Sequence, residues 1–307
     1  MRKGGIILLI AVLMFLSGYS QSDSTRIYSQ DTIIKPGITA IPLDKTEGKV
    51  SSSAKESVYT LKPGIDIPII AVGTVWSGYA FTKIYNKTPP TENQIINLKK
   101  SNINAFDRWA VYPYSKSLDK ISYYPFYAAI PLPLVFFLTE KETRSDFFKL
   151  AFLYWEAMSI TGLLGTGATY NVDRYRPYAY FHDTKEAMDK ATGRIAKNSF
   201  YAGHVQVVAT PTFFMAKVYA DYHPDSKIKW VFYGIASAAT GATAYMRLKG
   251  GEHFPSDILL GTATGVLAGI LVPQYHKTKS KKDPAMSIMP YSSGDFNGLV
   301  FTYKFRE

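Results

Sequence analysis

Arg247, His253 and Asp257 stand in the order Arg-x5-His-x3-Asp, at the joint between two long apolar stretches. Pro255 lies between the histidine and the aspartate, and proline favours the first turn of a helix. A helix starting there puts His253 at its cap and Asp257 one turn in, on the same side. A carboxylate that accepts the Nδ1 proton of an imidazole fixes its tautomer and leaves Nε2 free to attack. Arg247 adds a planar cationic fork suited to phosphate. A capped helix end with a surface salt bridge would use the same residue types, so other positions must decide.

Two upstream stretches supply them. Lys197-Asn198-Ser199-Phe200-Tyr201-Ala202-Gly203-His204 opens a long apolar segment. Gly203 lets backbone N–H groups approach an anion, and a helix beginning there points its positive end at it. Asp173-Arg174-Tyr175-Arg176-Pro177 follows another apolar segment. Each group falls at an expected helix end, so two histidines, one aspartate and two or three arginines could converge on one phosphate.

The ordered set Arg176-Pro177, Gly203-His204 and Arg247-x5-His253-x3-Asp257 resembles the type 2 phosphatidic acid phosphatase family, which also includes bacterial acid phosphatases and vanadium haloperoxidases. Three motifs in order are far more specific than any one of them. The resemblance covers residues 64–276. It implies that His253 is the nucleophile, oriented by Asp257, and that His204 is the general acid. It implies phosphate binding by Arg176, Arg247 and the Gly203 N–H, with no metal and no cofactor. Three departures stand out. The family lysine, seven residues before the motif arginine, is Thr169. The Pro-Ser of the second motif is Tyr201-Ala202, and the serine before the third-motif arginine is Met246. Arg174 is the nearby cation that could replace the lysine as a phosphate ligand.

Apolar segments near 64–83, 123–138, 148–169, 204–220, 229–246 and 256–274 alternate with polar joints. The expected fold is all-α: a six-helix bundle of the phosphatidic acid phosphatase type, membrane-associated, with a short C-terminal β-hairpin. Glu156 and Lys217 fall inside two of these segments, where charges usually face the interior. The segment 86–122 predicts one or two short amphipathic helices over the bundle, with Trp109 and several tyrosines suited to a membrane interface. Alternation at Leu299, Phe301, Tyr303 and Phe305 gives the strand period of the hairpin.

The chain divides into a signal peptide (1–20), a flexible lead-in (21–62), the phosphatase-like helical domain (63–276) and a basic linker with the hairpin (277–307). Arg2 and Lys3 before an apolar run, then Gly18 and Ser20, carry the signal-peptide reading. The chain has no cysteine, which excludes disulfides, thiol chemistry and a lipid anchor on cysteine. A net charge of +11 suits an anionic lipid surface. No basic run with interleaved stacking aromatics marks a nucleic-acid site, so nucleic acid is not an expected partner. His182, His223 and His276 lack partners at ligand spacing and read as surface or joint residues.

The expected function is a metal-independent phosphatase that removes phosphate from a lipid or other envelope phosphomonoester through a phosphohistidine. The expected partners are a phosphorylated lipid and the membrane. The expected location is the bacterial cell envelope, either multi-pass in the membrane or periplasmic. The lost lysine and serine favour a non-catalytic relative that binds phosphate headgroups; a vanadate-dependent haloperoxidase is a further alternative, which the same losses and the apolar segments disfavour. One tension follows from topology. A cleaved signal peptide with six spans would turn all three motifs to the cytoplasm, whereas the family's lipid phosphatases usually act on the outer face.

Overall fold

The computed structural model describes residues 57–278 and the backbone of residues 286–293 and 296–303. The expected signal peptide, most of the lead-in and the lysines at 279, 281 and 282 lie outside the described residues.

In chain order the helices are α1 (Pro63–Ile84), α2 (Glu92–Ile96), α3 (Ala105–Arg108), α4 (Lys116–Ala129), α5 (Leu132–Thr139), α6 (Lys141–Arg144), α7 (Phe147–Asn171), α8 (Lys185–Ala191), α9 (Gly203–Tyr222), α10 (Lys229–Lys249) and α11 (Pro255–His276). Short 3-10 turns stand at Lys100–Asn102 and Pro177–Tyr180. Each of the six apolar segments is helical, with the second running through α4 and α5. Strands β1 (Met286–Ser293) and β2 (Phe296–Tyr303) pair antiparallel, Met286 opposite Tyr303.

Among the described residues, four stretches are long and apolar enough to cross a membrane: Pro63–Ile84, Lys116–Thr139, Phe147–Asn171 and Pro255–His276. Their outward faces carry bare apolar side chains, among them Val75 at 72% exposure, Leu259 and Leu271. In water such faces would be costly, whereas against lipid tails they need no partner. Lipid also favours helices, which bond their own backbone groups internally.

Helix α9 is the axis. It packs against α4, α5, α7, α10 and α11 and buries Val205, Val208, Phe214 and Val218 together with Gln206, Thr210 and Thr212. Those hydroxyls turn back on the helix, Thr212 Oγ1 donating to Val208 O at 2.7 Å. Thr161 and Thr210 bridge α7 to α9 at 2.8 Å. Polar groups inside the bundle lower the hydropathy of α9 and explain why it is not among the four apolar spans.

Small residues set how closely α9 meets α11. Gly261, Gly265 and Gly269 recur every fourth residue, on one face. A Cβ at Gly261 would lie 2.6 Å from Ala202 O, and one at Gly265 would lie 2.7 Å from Ala209 Cβ. This close approach, typical of small-residue helix contacts, seats the second motif against the third. Ala202 N–H donates to Asp257 O at 3.1 Å, a direct tie between them.

Candidate active site

His253 sits in the turn between α10 and α11. Helix α10 is capped by Gly250, and Gly251 reverses the chain with φ +70, where a Cβ would strike Tyr112 O at 2.5 Å. Only glycine takes that conformation without cost. Pro255 then opens α11, and Asp257 accepts the Phe254 N–H at 3.0 Å. The carboxylate thus serves an otherwise unbonded first-turn amide and complements the helix dipole.

That commitment changes the pairing expected from the sequence. His253 Nδ1–H donates to the backbone carbonyl of Ser199 at 2.7 Å, not to Asp257. Asp257 Oδ2 accepts the Ser199 hydroxyl at 2.6 Å, and its Oδ1 takes Arg174. The aspartate therefore acts on the imidazole through Ser199. The tautomer is the same as with a direct pair, with the lone pair on Nε2.

Arg174 also departs from its expected place. Its guanidinium bridges Asp107 Oδ2 at 2.6 Å, Asp257 Oδ1 and Ser256 Oγ at 2.9 Å. Asp107, fully buried on α3, in turn accepts Ser256 N–H at 2.9 Å. The segment before α4 is thereby tied to the start of α11. Two carboxylates draw Arg174 beneath Asp257 and leave it no reason to face a phosphate.

Arg176 and Arg247 do converge, on a residue the motif pattern did not single out. Glu252 precedes His253, is 2% exposed, and pairs with both guanidiniums, its Oε2 lying 3.0 Å from Arg247 Nη2. Arg247 also donates to Asp119 Oδ1 at 2.6 Å and Ser122 Oγ at 3.1 Å, both on α4. Arg176 is steadied by Ile195 O at 3.1 Å.

Lys190, on α8, is a cation that sequence reasoning missed. Its Nζ lies 3.8 Å from Glu252 Oε1 and 3.7 Å from the centre of the Tyr114 ring. Burial first, then the charges of Arg176 and Arg247, push its pKa down to about 8 against the pull of Asp119. At Thr169, where the family has lysine, the hydroxyl donates to Gly165 O within its own helix.

His204 lies in the first turn of α9 between the rings of Tyr123 and Phe126, with centroids 4.6 and 4.7 Å away. Its Nε2 is buried without a hydrogen-bond partner among the described residues. Gly203, just before it, has open space where a Cβ would stand. Burial, then Arg247 and Arg176, hold His204 well below the usual histidine range. The same desolvation and the same two arginines do so for His253, with His204 adding to the effect. Two neutral imidazoles and two guanidiniums therefore share one buried locus, together with Glu252 and Lys190. Such a locus can hold a tetrahedral oxyanion, present a nitrogen nucleophile and move a proton.

Of the remaining histidines, His182 and His223 stand at joints between helices, as expected. His223 lies 3.3 Å from Glu140. His276 is neither surface nor joint: it is 1% exposed and faces Asp66 and Glu156. A cavity of about 450 Å³ lined by Lys83, Lys87, Tyr170, Asp173 and Lys197 includes none of the motif histidines or arginines.

Comparison with known proteins agrees with the motif order. Residues 150–281 match the family model of the PAP2 superfamily. A search of curated proteins found no match. Among solved structures, the chain is similar to one described as the first transmembrane PAP2-type phosphatidylglycerolphosphate phosphatase from Bacillus subtilis. The likeness has 16% identity and a TM-score of 0.39, over 68% of this chain and 94% of that one. The stretch that carries all three motifs, residues 150–281, belongs to the PAP2 superfamily.

Proposed function

We propose that this chain is a metal-independent phosphatase that removes phosphate from a lipid phosphomonoester through a phosphohistidine. The observation that carries this reading is the convergence of His253, His204, Arg176 and Arg247 at one buried locus. A mere anion binder has no use for a nucleophile and an acid held side by side. The four apolar spans bring such a site to a membrane, where a lipid headgroup can reach it.

The phosphate would exchange for the Glu252 carboxylate at the two guanidiniums, with Lys190 and the Gly203 N–H completing its ligands. His253 Nε2 attacks phosphorus in line and the P–O bond to the alcohol breaks. His204 gives its proton to the leaving alkoxide. Neutral His204 next takes a proton from water. The resulting hydroxide attacks phosphorus, the P–N bond breaks, and phosphate leaves with His253 restored. Asp257 holds Ser199, and Ser199 holds His253 in the required tautomer.

The lowered histidine pKa values give a pH prediction. His253 must be neutral to attack, so its low pKa carries the acid limb of kcat/KM below 6.5. His204 must be protonated to act as acid, so its low pKa moves the alkaline limb down as well. An alkyl phosphate should therefore be cleaved best on the acid side of neutrality. A nitrophenyl phosphate, whose leaving group needs no proton, should lose the alkaline limb due to His204. A single alkaline optimum for both substrates would count against these roles.

A second reading, a headgroup binder without turnover, is favoured by one observation: Thr169 supplies no cation and Glu252 occupies both arginines. Phosphate release by the purified protein from phosphatidate, a polyprenyl pyrophosphate and a lipid A phosphate separates the two. We expect release that persists with a chelator present and stops with vanadate. Binding of these lipids without any release would establish the second reading, and complete loss on chelation at a temperature where the protein stays folded would overturn the metal-independent one.

A further inference from the structure

At the far end of α11 from His253, about 30 Å along the helix by its 1.5 Å rise per residue, three ionisable side chains meet inside the bundle. They come from three helices: Asp66 in the first turn of α1, Glu156 in α7 and His276 at the end of α11. Their side chains are 0%, 3% and 0% exposed. We propose that Asp66, Glu156 and His276 bind one divalent metal ion of the zinc class, which ties these three helices together.

The geometry suits an ion. One oxygen or nitrogen from each residue lies within 4.8 Å of the other two. His276 Nε2 stands 3.0 Å from Asp66 Oδ1 and 3.7 Å from Glu156 Oε2. Ligands about 2.0–2.2 Å from a shared zinc ion are themselves about 3–3.5 Å apart, so small side-chain shifts complete the set. Two of the three ligands are also oriented from behind. His276 Nδ1–H donates to Val272 O at 2.9 Å, the outer bond that metal-binding histidines usually make. Lys62 N–H holds Asp66 Oδ2 at 2.7 Å and turns Oδ1 inward.

The orphaned atom is Glu156 Oε2. It is buried and has no hydrogen-bond partner among the described residues. A buried carboxylate oxygen without a donor is costly. Protonating His276 would satisfy Asp66 but would leave Glu156 Oε2 at 3.7 Å, beyond hydrogen-bond reach. Lys62, just before α1, is committed elsewhere: its Nζ donates to Tyr275 O at 3.0 Å and stacks on the Tyr275 ring. A divalent cation satisfies all three ligands and neutralises two carboxylates in an apolar bundle.

The donor set narrows the ion. One imidazole and two carboxylates suit zinc or manganese, whereas calcium takes six to eight oxygens and copper(I) prefers sulfur. The chain seals this end: Thr60 N–H donates to His276 O and Thr278 N–H to Val58 O, both at 2.9 Å. The proposed role is structural and separate from the phosphate chemistry.

The test uses the full chain in detergent, stripped with a chelator and titrated with zinc alone. We expect one zinc per chain by elemental analysis and a rise in Tm on adding it. Glu156→Gln and His276→Gln should each weaken zinc binding about 100-fold or more, since each removes a direct ligand. The stripped wild type provides a readout that needs no variant to fold. Failure to bind zinc or manganese at one per chain overturns the proposal. So does binding that survives in the Glu156→Gln/His276→Gln double variant.

Discussion

Replacing His253 with alanine should lower kcat/KM by at least about 10⁴-fold, the scale on which removing a catalytic nucleophile acts. Without Nε2 no P–N bond can form, and the arginines alone can only bind. The variant should still fold, because the Arg176–Glu252–Arg247 cluster and the α9–α11 contact do not depend on the imidazole. It loses one hydrogen bond to Ser199 O, for which water entering the vacated space can substitute. Rapid quenching under alkaline conditions, which spare a P–N bond, should trap labelled phosphate on the wild type and none on His253→Ala. His204→Ala should behave differently. Its loss should reach about 10²–10⁴-fold on an alkyl phosphate, because proton transfer is what it contributes. On a nitrophenyl phosphate the loss should be far smaller. Near-normal turnover by His253→Ala would sink the phosphohistidine route.

Much of this arrangement is written in local sequence. Pro255 at a helix start, Gly251 in a left-handed turn and Gly203 at the mouth of α9 each encode backbone geometry in one or two residues. The helical segments were legible because a lipid-facing helix must be apolar over its whole length. What escaped the sequence depends on separation along the chain. Lys190 and Glu252 meet although they stand 62 positions apart in the chain, Lys190 on a short polar helix that resembles any solvated joint. Asp119 reaches Arg247 from 128 positions away in the chain. His276 looks isolated because its partners lie at 66 and 156, on helices that only the folded bundle brings beside it. Asp257 departs from its expected bond for a different reason. Its spacing from His253 allows a direct bond, but the same spacing makes it the cap of Phe254, and the nearer amide wins.

Arg247→Met should cost both activity and stability, and the two losses should separate. Arg247 is 2% exposed and joins Glu252 of the third motif to Asp119 and Ser122 on α4. Removing one partner of a buried ion pair typically costs about 3–5 kcal/mol, because a charge is left without compensation. Here the cost should fall toward the lower end. Glu252 keeps Arg176, with Lys190 at 3.8 Å, and Asp119 keeps the Tyr114 hydroxyl at 2.9 Å with 18% of its side chain exposed. Turnover should fall by about 10²–10³-fold, the usual effect of deleting one donor to a developing oxyanion. Adding Glu252→Gln removes the uncompensated carboxylate while keeping its shape. The double variant should recover most of the lost stability, measured by unfolding in detergent, and little of the lost kcat/KM. Arg176 would then be the only motif guanidinium left for a phosphate, and binding should weaken accordingly. If activity returned along with stability, Arg247 would be a brace between α10 and α4, and phosphate recognition would have to rest on Arg176 and Lys190.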